Sequence, residues 1–191
     1  MSIFTKLVVA KINENIEALI KGSRSFQRRQ LYGVATKQAG DVYGVPNVGA
    51  PYVFNSDGEG VFTGVDDAYD FLVYHKAGAM TASASKGYGD QNKELTVRAD
   101  MSLVIYYDES KICFSPDEMT LILMPAFFGK FVLPDIQNCF INLGTASFDK
   151  EAVFASEFRL VPFKLSAEQQ FFRVSYTIEG SYKIGCLNIC D

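Results

Sequence analysis

The chain has one histidine, His75, and four cysteines, so imidazole or thiol chemistry has few candidate side chains. A cysteine nucleophile needs a base such as histidine within hydrogen-bond reach. None of the four thiols lies in a local sequence signature of such a nucleophile. These observations favour the interpretation of His75 as a core or surface residue without a catalytic role. The alternative is a hydrolase or transferase that uses a cysteine with His75.

The cysteines and acidic residues do not have the spacing of a metal site. Cys186 and Cys190 are four residues apart, whereas Cys113 and Cys139 stand alone. Structural zinc sites usually use two close doublets, and this chain has one. The three aspartates within 66–70 lack the alternating acids, the glycine and the distal glutamate of a calcium loop. The sequence therefore predicts four free buried thiols, no metal and no cofactor.

The glycine-rich stretch 33–64 contains no Gly-Lys-Ser/Thr that would complete a phosphate loop. The chain also lacks a dinucleotide-binding fingerprint, a nucleophile elbow and a zinc-protease motif. We therefore expect a non-enzymatic protein. The stretch itself predicts a loop or arm with short strands near 42–45 and 52–54, and its length favours a role in contact between subunits.

Charged side chains recur in two segments that alternate polar and apolar residues, and in one arginine cluster. They are Arg98 and Asp100 in the first segment, Arg173, Glu179 and Lys183 in the second, and Arg24, Arg28 and Arg29 in the cluster. The simpler interpretation of the two segments is a solvated face, stabilised by cross-strand pairs that contribute about 0.2 to 1 kcal/mol each. For the arginine cluster it is a solvated turn. The sharper interpretation is a contact surface, repeated around a ring, where basic side chains of one subunit meet acidic ones of the next, with the arginine cluster contacting phosphate or an acidic neighbouring subunit.

Long strands must position these charges. In 94–108 apolar side chains take every second place, and 171–184 shows the same period, which predicts two half-buried strands. Long amphipathic strands imply an antiparallel sheet with one covered and one polar face. The predicted fold class is α+β: an antiparallel sheet with two long amphipathic strands, packed by an N-terminal helix and one or two further helices.

Apolar spacing and capping residues indicate the helices. Residues 2–21 place apolar side chains at three- or four-residue steps and are followed by Gly22. Ser115 precedes a proline and two acids, which is a strong helix start, and a further helix fits 149–158. The segment with Phe71, Val73 and His75 could be a short capped helix or a strand, and we favour the strand. We also predict a loop of small residues at 78–93 and a short strand within 130–145.

The length, composition and net charge of the chain limit the class of protein. Its 191 residues suit one domain, 1–191, with an apolar share of 48% and a charged share of 21%. A net charge of -4 gives no global basic surface for nucleic acid. No apolar run approaches the roughly 20 residues of a membrane-spanning helix, and the N-terminus does not resemble a signal peptide. We expect a protein that stays in the cytoplasm where it is made, with no membrane partner.

The order of elements resembles a known class of proteins. An N-terminal helix, a glycine-rich loop, the strand ELTVRADMSLVIYYD, the helix SPDEMTLIL and the closing strand in LSAEQQFFRVSYTIEG look like small head-to-tail connector and tail-terminator proteins of tailed bacteriophages. The likeness covers roughly 1–20 and 94–184. It implies a homo-oligomeric ring of six or twelve subunits in the virion of a phage of a bacterial host. In that ring, neighbouring neck or tail proteins are the partners and passing DNA is contacted without sequence preference.

A β-rich module that binds a ligand or another protein is the second hypothesis. Its contacts would be aromatic side chains in the predicted loops, at Tyr43, Tyr52, Phe54 and Tyr88. The leading hypothesis remains a non-enzymatic structural protein that assembles through sheet edges, loops and the N-terminal helix.

Overall fold

A computed structural model describes residues 3–35, 52–54, 60–62, 69–85, 94–128, 131–133, 136–149, 153 and 169–183. These residues form an α+β fold with an N-terminal helix. The helices are α1 (Ile3–Ile20) and α2 (Pro116–Leu123), and 3-10 turns span Arg24–Phe26 and Met124–Phe127. The strands are β1 (Arg29–Ala35), β2 (Tyr52–Phe54), β3 (Gly60–Phe62), β4 (Phe71–Ser85), β5 (Glu94–Asp108), β6 (Phe131–Leu133), β7 (Ile136–Ser147) and β8 (Gln169–Lys183).

The body of the sheet is five strands in the order β1-β4-β5-β8-β7, and short strands extend both sides. Strand β5 pairs over its whole length with β8, from Glu94 opposite Lys183 to Asp108 opposite Gln169. It also pairs antiparallel with β4 on its other side. The two predicted long strands are confirmed, but β1 runs parallel to β4, so the expectation of a purely antiparallel sheet is wrong.

Strand β4 is the main departure from the sequence analysis. The residues expected to form a loop from Gly78 onward continue the strand to Ser85. Alanine, glycine and serine have weak strand propensity, so the segment looks like a loop, but pairing with β5 overrides that preference. The residues after Arg28, for which a solvated turn is the simpler expectation, form β1. Strand β7 is longer than the predicted short strand.

The inner face of the sheet is covered by both helices. Helix α1 buries one apolar stripe, as its spacing predicts, and α2 with the turn after it adds a second set of buried side chains. Burying each such side chain contributes about 1.5 to 3 kcal/mol. The core side chains from the helices are Phe4, Val8, Ile12, Ile16, Ile20, Met119, Leu123 and Phe127.

The N-terminus of α1 approaches the sheet closely at one glycine. A Cβ at Gly180 would lie 2.9 Å from Phe4 Cε2 and 3.1 Å from Ile136 Cγ2. The missing side chain of Gly180 therefore leaves the space that the Phe4 ring occupies. Phe4 in turn anchors the beginning of α1 on β8.

The outer face of the sheet changes character along its length. In β5 the residues from Leu103 to Tyr107 are all buried, whereas Arg98 and Asp100 are exposed. Phe171 on β8 is also buried opposite Tyr106. The long strands are thus amphipathic over only part of their length, and this part carries the predicted charges. The predicted helix at 149–158 lies outside the described residues except for 149 and 153.

Helix α2 begins with the predicted capping box. The Glu118 amide donates to Ser115 Oγ at 3.3 Å, and the Ser115 amide donates to the Glu118 carboxylate at 2.8 Å. These bonds satisfy backbone groups that have no partner within the helix. The bond from the Ser115 amide to the carboxylate lowers the pKa of Glu118. Pro125 follows the helix, which ends at Leu123 as its position predicts.

We expect Ser115→Ala to lower the free energy of unfolding by about 1 kcal/mol, because the helix loses its capping hydroxyl. Ser115→Asn retains a side-chain acceptor and should stay within a few tenths of a kcal/mol of the parent. Urea unfolding followed by circular dichroism measures both. Equal losses in the two variants would contradict the assignment of the loss to the missing capping acceptor.

Candidate functional site

The polar face of the sheet, defined as the side of β4, β5, β8 and β7 that points away from α1, brings several predicted residues together. Arg98 lies opposite Glu179, and Asp100 lies opposite Thr177. Thr177 Oγ1 donates to Asp100 Oδ1 at 3.2 Å, and Arg98 Nε lies 3.9 Å from the same oxygen. Both members of the Arg98–Asp100 pair are more than half exposed, so the pair adds little stability.

A groove of about 300 Å³ crosses the middle of the polar face. Its charged residues are Lys76 from β4, Asp100 from β5 and Arg173 from β8, and its hydroxyl residues are Ser102, Ser175 and Thr177. Four neighbouring strands thus contribute to one concave surface. Two of its three charges are positive.

Two glycines at strand irregularities open the sides of the groove. The register of β4 shifts between Ala77 and Met80, and that of β7 shifts between Leu143 and Ala146. Gly78 and Gly144 lie within these two β-bulges. A Cβ at Gly78 would lie 3.1 Å from the Asp100 carbonyl oxygen, and one at Gly144 would lie 2.5 Å from Ser175 Oγ. Bulges are frequent beside functional sites because they re-aim side chains.

Ser175 closes the β7 side of the groove. Its hydroxyl donates to the Thr145 carbonyl oxygen at 2.9 Å and accepts from the Thr145 amide at 2.9 Å. The side chain therefore replaces part of the backbone ladder that the bulge interrupts. A serine with both bonds made in this way is a structural part of the groove.

The arginine cluster does not form one surface. Arg29 makes a bidentate ion pair with Glu17 of α1, and Arg28 Nη1 lies 3.5 Å from Asp70 Oδ1. The hydrogen bond between Arg29 and Glu17 lowers the pKa of Glu17 and raises that of Arg29. Arg24 is exposed in the 3-10 turn and makes no ion pair within the described part of the chain. Two of the three arginines therefore have partners within the chain.

Among the remaining predicted contacts, Arg173 lines the groove and Glu179 lies on the polar face. Lys183 is the last residue of β8, and its side chain lies outside the described residues. Tyr52 and Phe54 form β2, but their side chains, and Tyr43 and Tyr88, lie outside the description as well. The aromatic contacts of the second hypothesis thus stay a prediction.

His75 is fully buried and belongs to a polar network in the core. The Asn13 amide group donates to the Tyr32 carbonyl oxygen at 2.9 Å, so Asn13 Oδ1 is the acceptor at 2.9 Å from His75 Nε2. His75 Nε2 therefore carries the proton, and His75 Nδ1 accepts from the Tyr176 hydroxyl at 2.7 Å. The network joins α1, β1, β4 and β8. Neither ring nitrogen is left for a cysteine.

Burial dominates the ionisation of this network. It lowers the pKa of His75 to about 3 and raises that of Tyr176 well above its ordinary value. The histidine is therefore neutral at physiological pH and acts as a connector of elements. This agrees with the interpretation of His75 as a core histidine.

The two described cysteines differ in their exposure to solvent. Cys139 is buried, and burial raises the pKa of its thiol to about 11. Cys113 is exposed, so the expectation that it is a buried thiol is wrong; it lies in the connection between β5 and α2, which crosses the surface. Cys186 and Cys190 lie outside the described residues. Within the part that is described, no three His, Cys, Asp or Glu side chains form a group that could hold a metal ion.

The alternation of β5 and β8 identified Asp100 and Arg173 as candidates, but Lys76 and both glycines of the groove were missed. Lys76 lies opposite Ser102 because β4 is long, and that pairing has no local signal. Gly144 lies within the segment 130–145 that predicts a short strand, and a glycine inside a strand pattern can mark a bulge. Of the helices in the described residues, none is both long enough and apolar enough to cross a membrane.

The burial of His75 predicts a specific acid sensitivity. Its folded pKa of about 3 lies below the unfolded value of about 6.5. Between these values the unfolded chain binds a proton that the folded chain does not. The stability contribution is therefore complete above pH 6.5 and is lost as pH falls towards 3, by up to about 1.4 kcal/mol per pH unit.

Glutamine has a similar length and keeps a donor and an acceptor, so His75→Gln is the matched variant. We expect its unfolding free energy, measured by urea titration from pH 7 to pH 4, to decrease less steeply than that of the parent. Carboxylates contribute equally to both proteins, so the difference in slope reports His75. Parallel curves would contradict the assignment of a buried neutral histidine.

No protein-family model matches the chain, and a search of curated proteins gives no match.

Proposed function

We propose that this protein is a self-assembling structural subunit whose sheet edge pairs with a neighbouring copy. The observation that carries this proposal is the far half of β4. Residues 78–83 are all exposed, and Met80 keeps 54% of its surface in contact with solvent. Six consecutive exposed residues within one strand are unusual for a sheet whose centre is closely packed.

The far half of β4 is a free edge within the described structure. Strand β1 pairs with β4 up to Lys76, opposite Ala35, and no other described strand pairs with β4 on that side beyond this point. Unpaired backbone groups at such an edge are a template for another strand. Proteins usually protect an edge with charge or proline, but Ala77 to Ser85 contains neither.

The side chains of this edge alternate in a way that suits pairing. Met80 and Ala82 share the inner face with Ala99 and Val97 of β5, whereas Thr81 shares the polar face with Arg98. An added strand would extend the sheet and cover the apolar stripe of Met80 and Ala82. Main-chain hydrogen bonds would supply affinity, as in other cases of strand addition.

Exposed apolar side chains elsewhere supply further contact area. Leu121 on α2 is 68% exposed, and Phe128 just after it is 61% exposed. Phe140 on β7 is 61% exposed and lies on the polar face opposite Glu179. Aromatic side chains are enriched in the centres of protein interfaces.

The predicted charged residues would form ion pairs between neighbouring copies. Arg28 and Arg29 are engaged within the chain, so Arg24 and Arg173 are the cations available to an acidic neighbour or to DNA. Asp100 and Glu179 are the predicted contact residues on the polar face that carry a negative charge. Complementary charges of this kind set the register and specificity of an interface more than its affinity.

The assembly we propose is a ring of six or twelve copies in the neck or tail of a phage-like particle, around the DNA channel. Its partners would be adjacent neck or tail proteins of the virion. The support is the resemblance in element order: the N-terminal helix, the strand that begins at Glu94, the capped helix after Ser115 and the closing strand. The proposed role is structural and requires no cofactor.

Ala82→Lys tests the edge directly. The lysine places a charge on the apolar stripe of the edge strand, and we expect it to raise the protein concentration for half-assembly at least tenfold, equivalent to about 1.4 kcal/mol. Light scattering across a concentration and salt series measures the mass of the parent and the variant. We expect a closed oligomer of six or twelve copies for the parent.

Thr96→Lys is the control, because it adds the same charge to β5 away from the edge. It should assemble as the parent does. Ala82 is exposed, so both variants should keep the parent's circular dichroism spectrum. A parent protein that stays monomeric at high concentration and binds no virion protein would refute the proposed function. Assembly unchanged by Ala82→Lys would refute only the role of this edge.

A further inference from the structure

We infer that the groove between the two bulges binds a small ligand through a phosphate group. The site is formed by Lys76 and Arg173 with the hydroxyl of Ser102, and its walls are the backbone at Gly78 and Gly144. It lies within one chain, so it does not depend on the proposed assembly. Nothing in the self-assembly argument requires a ligand at this position.

The strand register places these groups on one surface. Lys76 lies opposite Ser102, which lies opposite Ser175. Arg173 is two residues before Ser175, so both side chains are on the same side of β8. The two cations therefore come from strands on either side of β5, with hydroxyl groups between them.

The other polar groups of the groove already have partners. Ser175 is bonded to the backbone of Thr145 in both directions. Asp100 accepts from Thr177 and faces Arg98, which reduces its negative field in the groove. By contrast, Arg173 has no ion pair and Ser102 no side-chain hydrogen bond among the described residues. The groups left for a ligand are a guanidinium and a hydroxyl, beside the Lys76 ammonium.

This set of groups fits a phosphate better than other ligands. A guanidinium binds two oxygens of a phosphate at once, and an ammonium adds a second positive charge that matches a dianion. One partly neutralised carboxylate is too few ligands for a metal cation. The volume of about 300 Å³ is at the lower end of small-molecule sites, so the bound group is compact.

The glycines show why the groove is built into the sheet. A side chain at position 144 would collide with Ser175 Oγ, and one at position 78 would press on the Asp100 carbonyl. Gly78 lies in the bulge of β4 and Gly144 in the bulge of β7, so a residue without a side chain stands on either side of the pair β5 and β8. An ordinary ladder at either position would place a side chain beside the hydroxyl groups.

Equilibrium dialysis with radiolabelled inorganic phosphate, at constant ionic strength, tests the inference on the full chain. We expect saturable binding of one phosphate per chain. Arg173→Gln and Lys76→Gln should each weaken binding about tenfold or more, because each loses a charge-assisted contact. Asp100→Asn should strengthen binding several-fold, because it removes the one acid among the described residues of the groove.

Lys21→Gln is the matched control for Lys76→Gln, since it removes an exposed lysine that does not line the groove. Its affinity for phosphate should equal that of the parent. Non-saturable binding, an affinity of Arg173→Gln or Lys76→Gln equal to that of Lys21→Gln, or weaker binding by Asp100→Asn would each overturn the inference. Dialysis counts phosphate per chain in any oligomeric state, so this result is separate from the assembly measurement.

Discussion

The continuous pairing of β5 on both sides is the constraint on which the rest of the structure depends. From Glu94 to Asp108 every residue of β5 has a partner on β8, and most have one on β4. Because side chains alternate across a strand, this pairing fixes the face of every residue in three long strands. The two described helices cover the inner face, and the charged residues of β5 and β8 share the other.

The two halves of the sheet differ in whether their outer face is buried. In one half, Val104, Tyr106 and Phe171 are buried on the outer face while Leu103 and Ile105 are buried on the inner face, so the strands lie between two covered surfaces. In the other half the outer face is open and polar. The buried network of Asn13, His75 and Tyr176 lies near the junction and ties α1 to the sheet. Fully bonded polar networks of this kind favour one arrangement of a core.

Much of the fold could be predicted because its elements carry local signals. Helix α1, the cap at Ser115 and the strands β5 and β8 follow from spacing and residue type alone. The parallel pairing of β1 with β4 and the length of β4 could not be predicted, because both depend on partners distant in sequence. In the candidate site, the residues on β5 and β8 could be predicted because polar and apolar residues alternate along these strands. Lys76 and Gly78 could not, since small residues such as those of 78–85 look like a loop until β5 is placed beside them.

The bulge in β4 connects the groove with the free edge. One extra residue between Ala77 and Met80 shifts the register against β5 by one position, at the point where β1 ends opposite Lys76. If the ladder continued regularly from Ala77 without the bulge, Met80 would lie opposite Arg98 on the polar face. A shift of one residue turns every following side chain to the opposite face. The bulge therefore keeps Met80 and Ala82 on the apolar face of the edge, and the same irregularity leaves Gly78 as a wall of the groove. The proposed contact between copies and the proposed phosphate site thus have one structural origin.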